Sequence, residues 1–162
     1  MSEALARLQE RTFAASNAAT ADSYPAERRL SGEQLAAYLD RRDFAVVSST
    51  RPDGRAHAAV SGFVRREDVF WLPTVAGSVR ERNIRAHPWV SLVVTEGDHQ
   101  SHIVVLLEGP AQILSNADAP PEVASTLTGS WVSCWIVLKP QRLLSYADEH
   151  AIQPRERFGG SG

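Results

Sequence analysis

The feature that most constrains the fold is a series of short apolar segments, rich in β-branched residues, that runs over 44–146. Residues with turn chemistry separate these segments, as in RPDGR (51–55), where Pro, Asp and Gly occur in turn order. No strand–helix–strand alternation is present, which argues against a parallel sheet. The pattern predicts a mainly β protein with a few helices, built as a small antiparallel barrel of about six to seven strands.

Apolar periodicity places the individual strands. FAVVSST (44–50) and AHAAVSGFV (56–64) flank the RPDGR turn, so a hairpin is expected over 44–64. Gly109-Pro110 is expected to end the apolar strand predicted over 102–109, before a further strand over 111–114. Trp131 and Trp135 are expected on one face of a late strand. The further predicted strands cover 69–72, 89–95, 102–109, 111–114, 131–138 and 142–146.

Helix signals are confined to a few segments. Residues 3–15 have loosely helical apolar spacing and predict a short helix that docks on the rest of the chain, followed by a small, polar linker over 16–30. Ser31 and Gln34 have capping-box spacing at the start of a helix expected over 31–42. We therefore predict an N-terminal helix and linker (1–30), a barrel domain (31–150) and a flexible tail (151–162).

Composition excludes several classes of function. The net charge of −2 gives no support for a nucleic-acid or membrane-surface partner. Cys134 is the only cysteine, which rules out an intramolecular disulfide and a cysteine zinc site. No apolar window approaches the ~18 residues that a membrane-spanning helix needs. The N-terminus lacks the features of a secretory signal, so a cytoplasmic location is expected.

The connection TVAGSVRERNIRAHP (74–88) is the candidate site. Ser78 is a plausible N-cap of a short helix that His87-Pro88 closes. A helix N-terminus offers free N–H groups and a positive dipole end, and a forked Arg80 donor suits a phosphate. Thr74 and Ser78 add hydroxyls, and Gly77 permits close backbone approach. The alternative is a capped surface helix with solvated arginines, which composition alone favours.

Three stretches in order resemble the FMN-binding split-barrel superfamily, which includes the pyridoxamine 5′-phosphate oxidases and the deazaflavin-dependent reductases. FAVVSSTRPDGRAHAAV resembles the first hairpin of that family. VFWLPTVAGSVRERNIRAHPWVSLVV resembles its phosphate segment, S-x-K-x-x-N-[LI]-x-x-x-P-x-V-S-L, and VVLLEGPAQIL resembles its later E-G-x-A strand. The resemblance covers residues 31–146.

The resemblance implies a flavin (FMN) or, alternatively, the deazaflavin coenzyme F-420, bound at the interface of a homodimer. It implies hydride transfer to or from a small organic substrate. Thr74, Ser78 and Arg80 would hold the phosphate, and Trp131 or Trp135 of the partner subunit would cover the ring. The implied cofactor site comprises His57, Ala58, Ala59, Val60, Trp71, Leu72, Pro73, Thr74, Ser78, Val79, Arg80 and Asn83.

The chain also departs from the family pattern. Arg80 stands where lysine is usual, and Ala56 where proline is frequent. The paired basic residues of strand two and the C-terminal R-x-H of true pyridoxamine phosphate oxidases are missing, so oxidation of pyridoxamine phosphate is not expected. A second hypothesis is a flavin-, haem- or bilin-binding protein without turnover, and a third is a structural dimer with an empty cleft. Arg55, Arg82 and Arg85 offer basic surface for a deazaflavin tail.

Other candidate chemistry is sparse. His99 and His102 have H-x-x-H spacing, but no third ligand is evident, so no metal site is predicted. No hydrolase elbow, Walker motif or dinucleotide fingerprint occurs. His57 is a weak candidate for a proton partner near the ring, and a half-exposed strand histidine is an equal reading. If Ala58 and Val60 fill the barrel, strand alternation turns His57 toward the cofactor.

Overall fold

The computed structural model describes residues 2–127 and 131–148. Its helices are α1 (Ser2–Ala14), α2 (Ala18–Ser23), α3 (Gly32–Asp40), α4 (Val79–Ala86) and α5 (Pro121–Ala124), with 3-10 turns at Ala26–Arg28 and Asn116–Asp118. Its strands are β1 (Phe44–Thr50), β2 (Ala56–Gly62), β3 (Val64–Arg66), β4 (Val69–Thr74), β5 (Trp89–Gly97), β6 (His102–Ser115), β7 (Cys134–Leu138) and β8 (Arg142–Ala147). The predicted tail lies outside the described residues.

The strands form one curled antiparallel sheet. They follow the order β2-β1-β5-β6-β7-β4-β3, and β8 pairs with β6 off this path. The first part of β6 pairs with β5 and β8, and its last part pairs with β7. The predicted mainly β split barrel is confirmed, as are the hairpin over 44–64 and the Ser31 capping box.

The predicted break at Gly109-Pro110 is wrong, because β6 runs unbroken through both residues. A Cβ atom at Gly109 would stand 2.6 Å from the Lys139 carbonyl oxygen and 2.8 Å from the Gln141 nitrogen. The β7–β8 connection therefore crosses β6 at van der Waals distance, and only glycine fits there. Pro110 lies where β6 changes partner, a position at which a missing N–H is tolerated.

The core lies between the concave side of the sheet and helices α1 and α3. Burial alternates along β5 and β6, so that every second side chain enters the core. The two helices contribute the buried side chains Leu5 and Leu8 of α1 and Leu35 and Tyr38 of α3 to this core. No helix in residues 2–127 and 131–148 has the length and apolar character needed to cross a membrane.

The N-terminal helix docks on the free edge of β8, which confirms that α1 exists and packs on the chain. The Thr12 hydroxyl accepts a hydrogen bond from the Leu143 N–H at 2.9 Å. The Leu30 N–H donates to the Ser145 hydroxyl at 2.9 Å. These bonds occupy polar groups that an open edge strand would otherwise expose. The segment expected to be a linker contains α2, whose first turn is capped by Asn17.

We predict that Leu5→Ala destabilises the whole barrel, because Leu5 is fully buried in the core that α1 shares with the sheet. The expected loss is about 2–5 kcal/mol of unfolding free energy. Urea denaturation of the full chain measures it. Glu10→Ala, on the exposed side of α1, is the control. A loss as small as that of the control would mean that α1 contributes nothing to the fold.

Candidate functional site

The start of α4 has the predicted cap. Ser78 has extended backbone angles, and its Oγ accepts a hydrogen bond from the Glu81 N–H at 3.2 Å. The Thr74 Oγ1, at the end of β4, lies 3.0 Å from the Ser78 Oγ. Gly77 has φ +81°, in the left-handed region that favours glycine. The strand end and the helix start thus hold two hydroxyl groups together, and we call Thr74, Ser78 and Arg80 the cradle.

Backbone donors of the preceding loop are already used inside the chain. The Ala76 N–H donates to the Ser133 hydroxyl at 2.7 Å, and the Gly77 N–H donates to the Glu81 carboxylate. Sequence reasoning missed both acceptors. For Glu81 a sequence signal was available, because the S-x-x-E spacing of Ser78 and Glu81 is typical of a capping box. Bound phosphate therefore depends on the side chains of the cradle more than on these N–H groups.

Arg80 is partly buried and incompletely paired. Its Nη2 donates a long hydrogen bond of 3.4 Å to the Pro73 carbonyl, whereas its Nη1 is buried without a partner. Burial lowers the pKa of the guanidinium, which nevertheless stays protonated at neutral pH. An unpaired buried donor is costly, and an anion accepting from Nη1 removes that cost. The cradle therefore fits a phosphate group.

Asn83 lies in the interior and joins α4 to the sheet. It is buried, and its Nδ2 donates to the Ser49 hydroxyl of β1 at 3.0 Å. The geometry gives it a positioning role behind the cradle, because its amide nitrogen is engaged within the protein. Val79, also in the implied site, lines a separate cleft described below.

His57 would point toward the cofactor only if Ala58 and Val60 filled the barrel, and β2 has the opposite orientation. Pairing with β1 sets the phase: Ser49 opposes His57, and Val46 opposes Val60. Residues that oppose each other across two antiparallel strands point to the same face of the sheet. Ser49 is buried, so His57 also points inward, and its Nδ1 is buried without a hydrogen-bond partner. Ala58 and Val60 face solvent. The condition that these two fill the barrel is wrong, so His57 does not point to the exposed face.

The two tryptophans expected on one strand face are separated. β7 begins at Cys134, so Trp131 precedes the strand and the alternation rule does not apply to it. Trp131 is 54% exposed. Trp135 is fully buried, and its Nε1 donates to the Asn116 side chain at 2.8 Å. The expectation that Trp135 covers a ring in the partner subunit conflicts with this burial, whereas Trp131 remains accessible.

The remaining implied ring residues lie on β4. Trp71 is partly buried and packs against a small apolar cluster around Trp135, and Leu72 and Pro73 are buried. Ala59 of β2 is half-buried beside His57. The exposed members of the implied site are therefore Ala58 and Val60, together with the partly exposed cradle residues Ser78 and Arg80.

An apolar row crosses the outward face of the sheet. It is continuous because each member opposes the next across a strand pair. Val60 is 68% exposed and Val46 is 37% exposed. Leu144, at the other end of the row, is buried, so the exposed part of the row lies on β2 and β1. Neighbouring exposed apolar side chains on a small protein are typical of an interaction surface. The row consists of Val60, Val46, Val93, Leu106 and Leu144.

A cleft of about 280 Å³ opens between the β1–β2 turn and α4. Arginines dominate its charge, and Arg55 is paired with Asp53 at 2.8 Å. Arg82 lines the cleft, whereas Arg85 lies 2.8 Å from the Glu81 carboxylate. The lining residues are Arg51, Pro52, Asp53, Arg55, Val79, Arg82 and Asn83.

His102 and Cys134 also carry reactive side chains, and both contact other parts of the protein. His102 stacks on Tyr146 with ring centroids 5.4 Å apart, and its Nδ1 lies 3.5 Å from the Asp148 carboxylate. No group of three or more His, Cys, Asp or Glu side chains suited to a metal ion occurs among residues 2–127 and 131–148. Burial raises the pKa of the Cys134 thiol, and the Glu81 carboxylate raises it further, so the thiol stays protonated.

We predict that the Asn83–Ser49 hydrogen bond couples α4 to β1. Asn83→Ala and Ser49→Ala each leave a buried polar group unsatisfied and are expected to cost about 1–3 kcal/mol of unfolding free energy. The double variant is expected to cost less than the sum of the two, by about 0.5–1.5 kcal/mol. Chemical denaturation measures all three, with Ser48→Ala on the opposite face of β1 as control. Additive losses would show that the two side chains act independently.

Comparisons with known structures agree with the fold. A conserved hypothetical protein from Mycobacterium tuberculosis is 21% identical, with a TM-score of 0.66 over 85% of this chain and 98% of the other. A FAD-binding protein from Mesorhizobium loti is 17% identical, with a TM-score of 0.61 over 75% and 98%. The haem storage protein HutZ from Vibrio cholerae is 14% identical, with a TM-score of 0.55 over 70% and 92%.

No curated protein sequence matches the chain. Residues 31–158 match the family model described as pyridoxamine 5′-phosphate oxidase. That range includes the β1–β2 hairpin, the cradle and all of β6, which are the parts that carry the resemblance. Because the match spans most of the chain, this protein belongs to the pyridoxamine 5′-phosphate oxidase family.

Proposed function

We propose that this protein binds a flavin or deazaflavin at the interface of a homodimer and transfers hydride to or from a small organic substrate. One observation carries the proposal: the buried, unpaired Nη1 of Arg80 stands in the segment that resembles the phosphate site of the family. The hydroxyls of Thr74 and Ser78 are in hydrogen-bond contact in the same place. This donor set suits a phosphate group.

Each part of the site has a distinct task. Arg80, Thr74 and Ser78 anchor the phosphate, while Ala58 and Val60 offer small apolar side chains against which a flat ring can lie. Asn83 holds α4 in place through Ser49. The bound cofactor supplies the hydride chemistry, and the protein supplies orientation and exclusion of water. We assign no side chain as catalytic acid or base, and the inward His57 does not serve as one.

A second copy of the chain completes the site in this proposal. The apolar row beside Ala58 is suited to an isologous contact, in which the same surface is used twice. The exposed Trp131 of one subunit is then available to cover the ring bound by the other. Trp135 takes no part, because it is buried in its own subunit.

Two observations bear on which ligand is bound. The cleft that Arg55 and Arg82 line offers cationic surface for a group extending beyond the phosphate, as in FAD or a deazaflavin with its acidic tail. The similarity to a haem storage protein favours the second candidate, a binding protein of the same fold without turnover. Holoprotein that no nicotinamide or reduced deazaflavin can reduce would support that candidate.

Oxidation of pyridoxamine phosphate is not part of the proposal. The exposed positions of β2 carry Ala58 and Val60, so this face lacks paired cations to hold a second phosphorylated ligand. Family membership thus indicates the fold, and we expect a substrate other than pyridoxamine phosphate.

We predict that Arg80→Ala weakens flavin binding by about tenfold to a hundredfold, because ~1–3 kcal/mol of charge-assisted hydrogen bonding is lost. Arg80→Lys is expected to retain most of the affinity, since lysine is usual here in the family. Titration of FMN and FAD by fluorescence quenching measures both. Arg82→Ala removes the same charge from the exposed side of α4 and is the control for FMN. Equal affinity in the wild type and Arg80→Ala would contradict the phosphate assignment.

We predict that Val60→Glu dissociates the dimer, because a carboxylate at the most exposed member of the apolar row must be desolvated in the contact. Light scattering after size exclusion is expected to show a monomer, with flavin affinity lost in parallel. Gln100→Glu, in the β5–β6 turn, adds the same charge elsewhere and is expected to leave the dimer intact. A wild-type protein that is already monomeric with flavin bound would overturn the interface proposal.

A further inference from the structure

An acidic side chain stands at the cradle itself. Only 12% of the Glu81 side chain is exposed. Its carboxylate accepts the Gly77 N–H and is bonded by Arg85 at 2.8 and 3.1 Å. The Gly77 hydrogen bond, followed by the Arg85 contact, lowers the pKa of this carboxyl, so it is ionised at neutral pH. A negative charge therefore occupies the position where a phosphate-binding helix would offer a free N–H group.

The charges around the cradle do not favour a dianion. Arg80 is the cation whose Nη1 is unpaired, and Glu81, the next residue in the chain, is an anion whose carboxylate bonds the Gly77 N–H beside Ser78. Arg85 compensates Glu81 only in part, because 64% of its side chain is in solvent, where charge is screened. A phosphate monoester carries about −1.5 to −2 at pH 7, whereas a diester carries a single negative charge. Repulsion by Glu81 is correspondingly stronger for the monoester.

Several donors near the cradle are already engaged within the protein. Because Thr74 and Ser78 bond each other, one of their two hydroxyl hydrogens is consumed in that contact. The Ala76 and Gly77 N–H groups are engaged by Ser133 and Glu81. Of the cradle side chains, one hydroxyl hydrogen and the Arg80 Nη1 remain to bind non-bridging phosphate oxygens. The charge of the ligand, and not the number of donors, is therefore what Glu81 discriminates.

We propose that Glu81 makes the cradle selective for a flavin or deazaflavin whose ribityl phosphate carries a second substituent, and therefore a single negative charge, over the phosphomonoester FMN. This inference rests on the proposed function, since it concerns the same cofactor site. The arginine-lined cleft along α4 offers space for the group beyond that phosphate. Glu81 acts in this proposal as a specificity-determining residue, without contact to reacting atoms.

The test compares ligands that differ only in phosphate charge. FMN and its phosphate monomethyl ester share the ring and ribityl chain, so the ratio of their Kd values isolates the extra charge. FAD is the natural ligand in which the phosphate next to the ribityl chain carries one negative charge, because its pyrophosphate bond blocks the second. Wild-type protein is expected to bind the methyl ester and FAD more tightly than FMN. Glu81→Gln is expected to improve FMN affinity by roughly tenfold and methyl-ester affinity by no more than about threefold.

Three further variants control the result. Arg85→Gln leaves Glu81 less compensated and is expected to weaken FMN more than the methyl ester. Glu33→Gln, in the exposed first turn of α3, changes net charge equally and is expected to leave the ratio unchanged. Thermal unfolding establishes that each variant is folded, and Glu81→Asp provides a second, charge-retaining variant whose ratio should stay close to that of the wild type.

The outcomes separate this inference from the proposed function. If flavins bind and Glu81→Gln improves both esters equally, or neither, the charge-selection proposal is overturned while the proposed cofactor site stands. If FMN, the methyl ester, FAD and the deazaflavin all fail to bind folded wild-type protein, the proposed function is overturned and this inference falls with it.

Discussion

The long strand β6 is the constraint on which the remaining structure depends. Its first part pairs with β5 on one side and β8 on the other, and its last part pairs with β7. That change of partner curls the sheet, and the β7–β8 connection passes so close at Gly109 that no side chain fits. β7 in turn pairs with β4, which ends at Thr74. The position of the cradle is therefore a consequence of strand pairing elsewhere.

The candidate site combines an unpaired guanidinium nitrogen of Arg80 with a carboxylate, Glu81, that stabilises the neighbouring loop. A partly buried guanidinium with an unpaired nitrogen is unfavourable unless an anion binds there, and this favours a phosphate at Arg80. The Glu81 carboxylate accepts a hydrogen bond from the Gly77 N–H and stabilises the loop. The same carboxylate restricts how much negative charge the cradle tolerates. Stability of the loop and choice of ligand thus depend on one side chain.

Local signals predicted much of the fold and part of the site. The capping residues Ser31 and Ser78 begin the helices where their spacing indicated, because N-cap hydrogen bonds involve neighbours in the chain. The β1–β2 hairpin follows from its turn residues for the same reason. The orientation of His57 and the burial of Trp135 were not predictable, since alternation defines two faces without saying which one is covered.

Sequence patterns alone predicted the β1–β2 hairpin, the starts of α3 and α4, and the side chains grouped at the N-terminus of α4. Those features depend on residues a few positions apart, whose interactions any local conformation must satisfy. The tertiary structure decided which face of β2 meets solvent, that Gly109 lies inside a strand, and that Ser133 and Glu81 occupy the loop donors. These outcomes depend on contacts between distant segments, such as β4 with β7, and only packing of the whole chain specifies them.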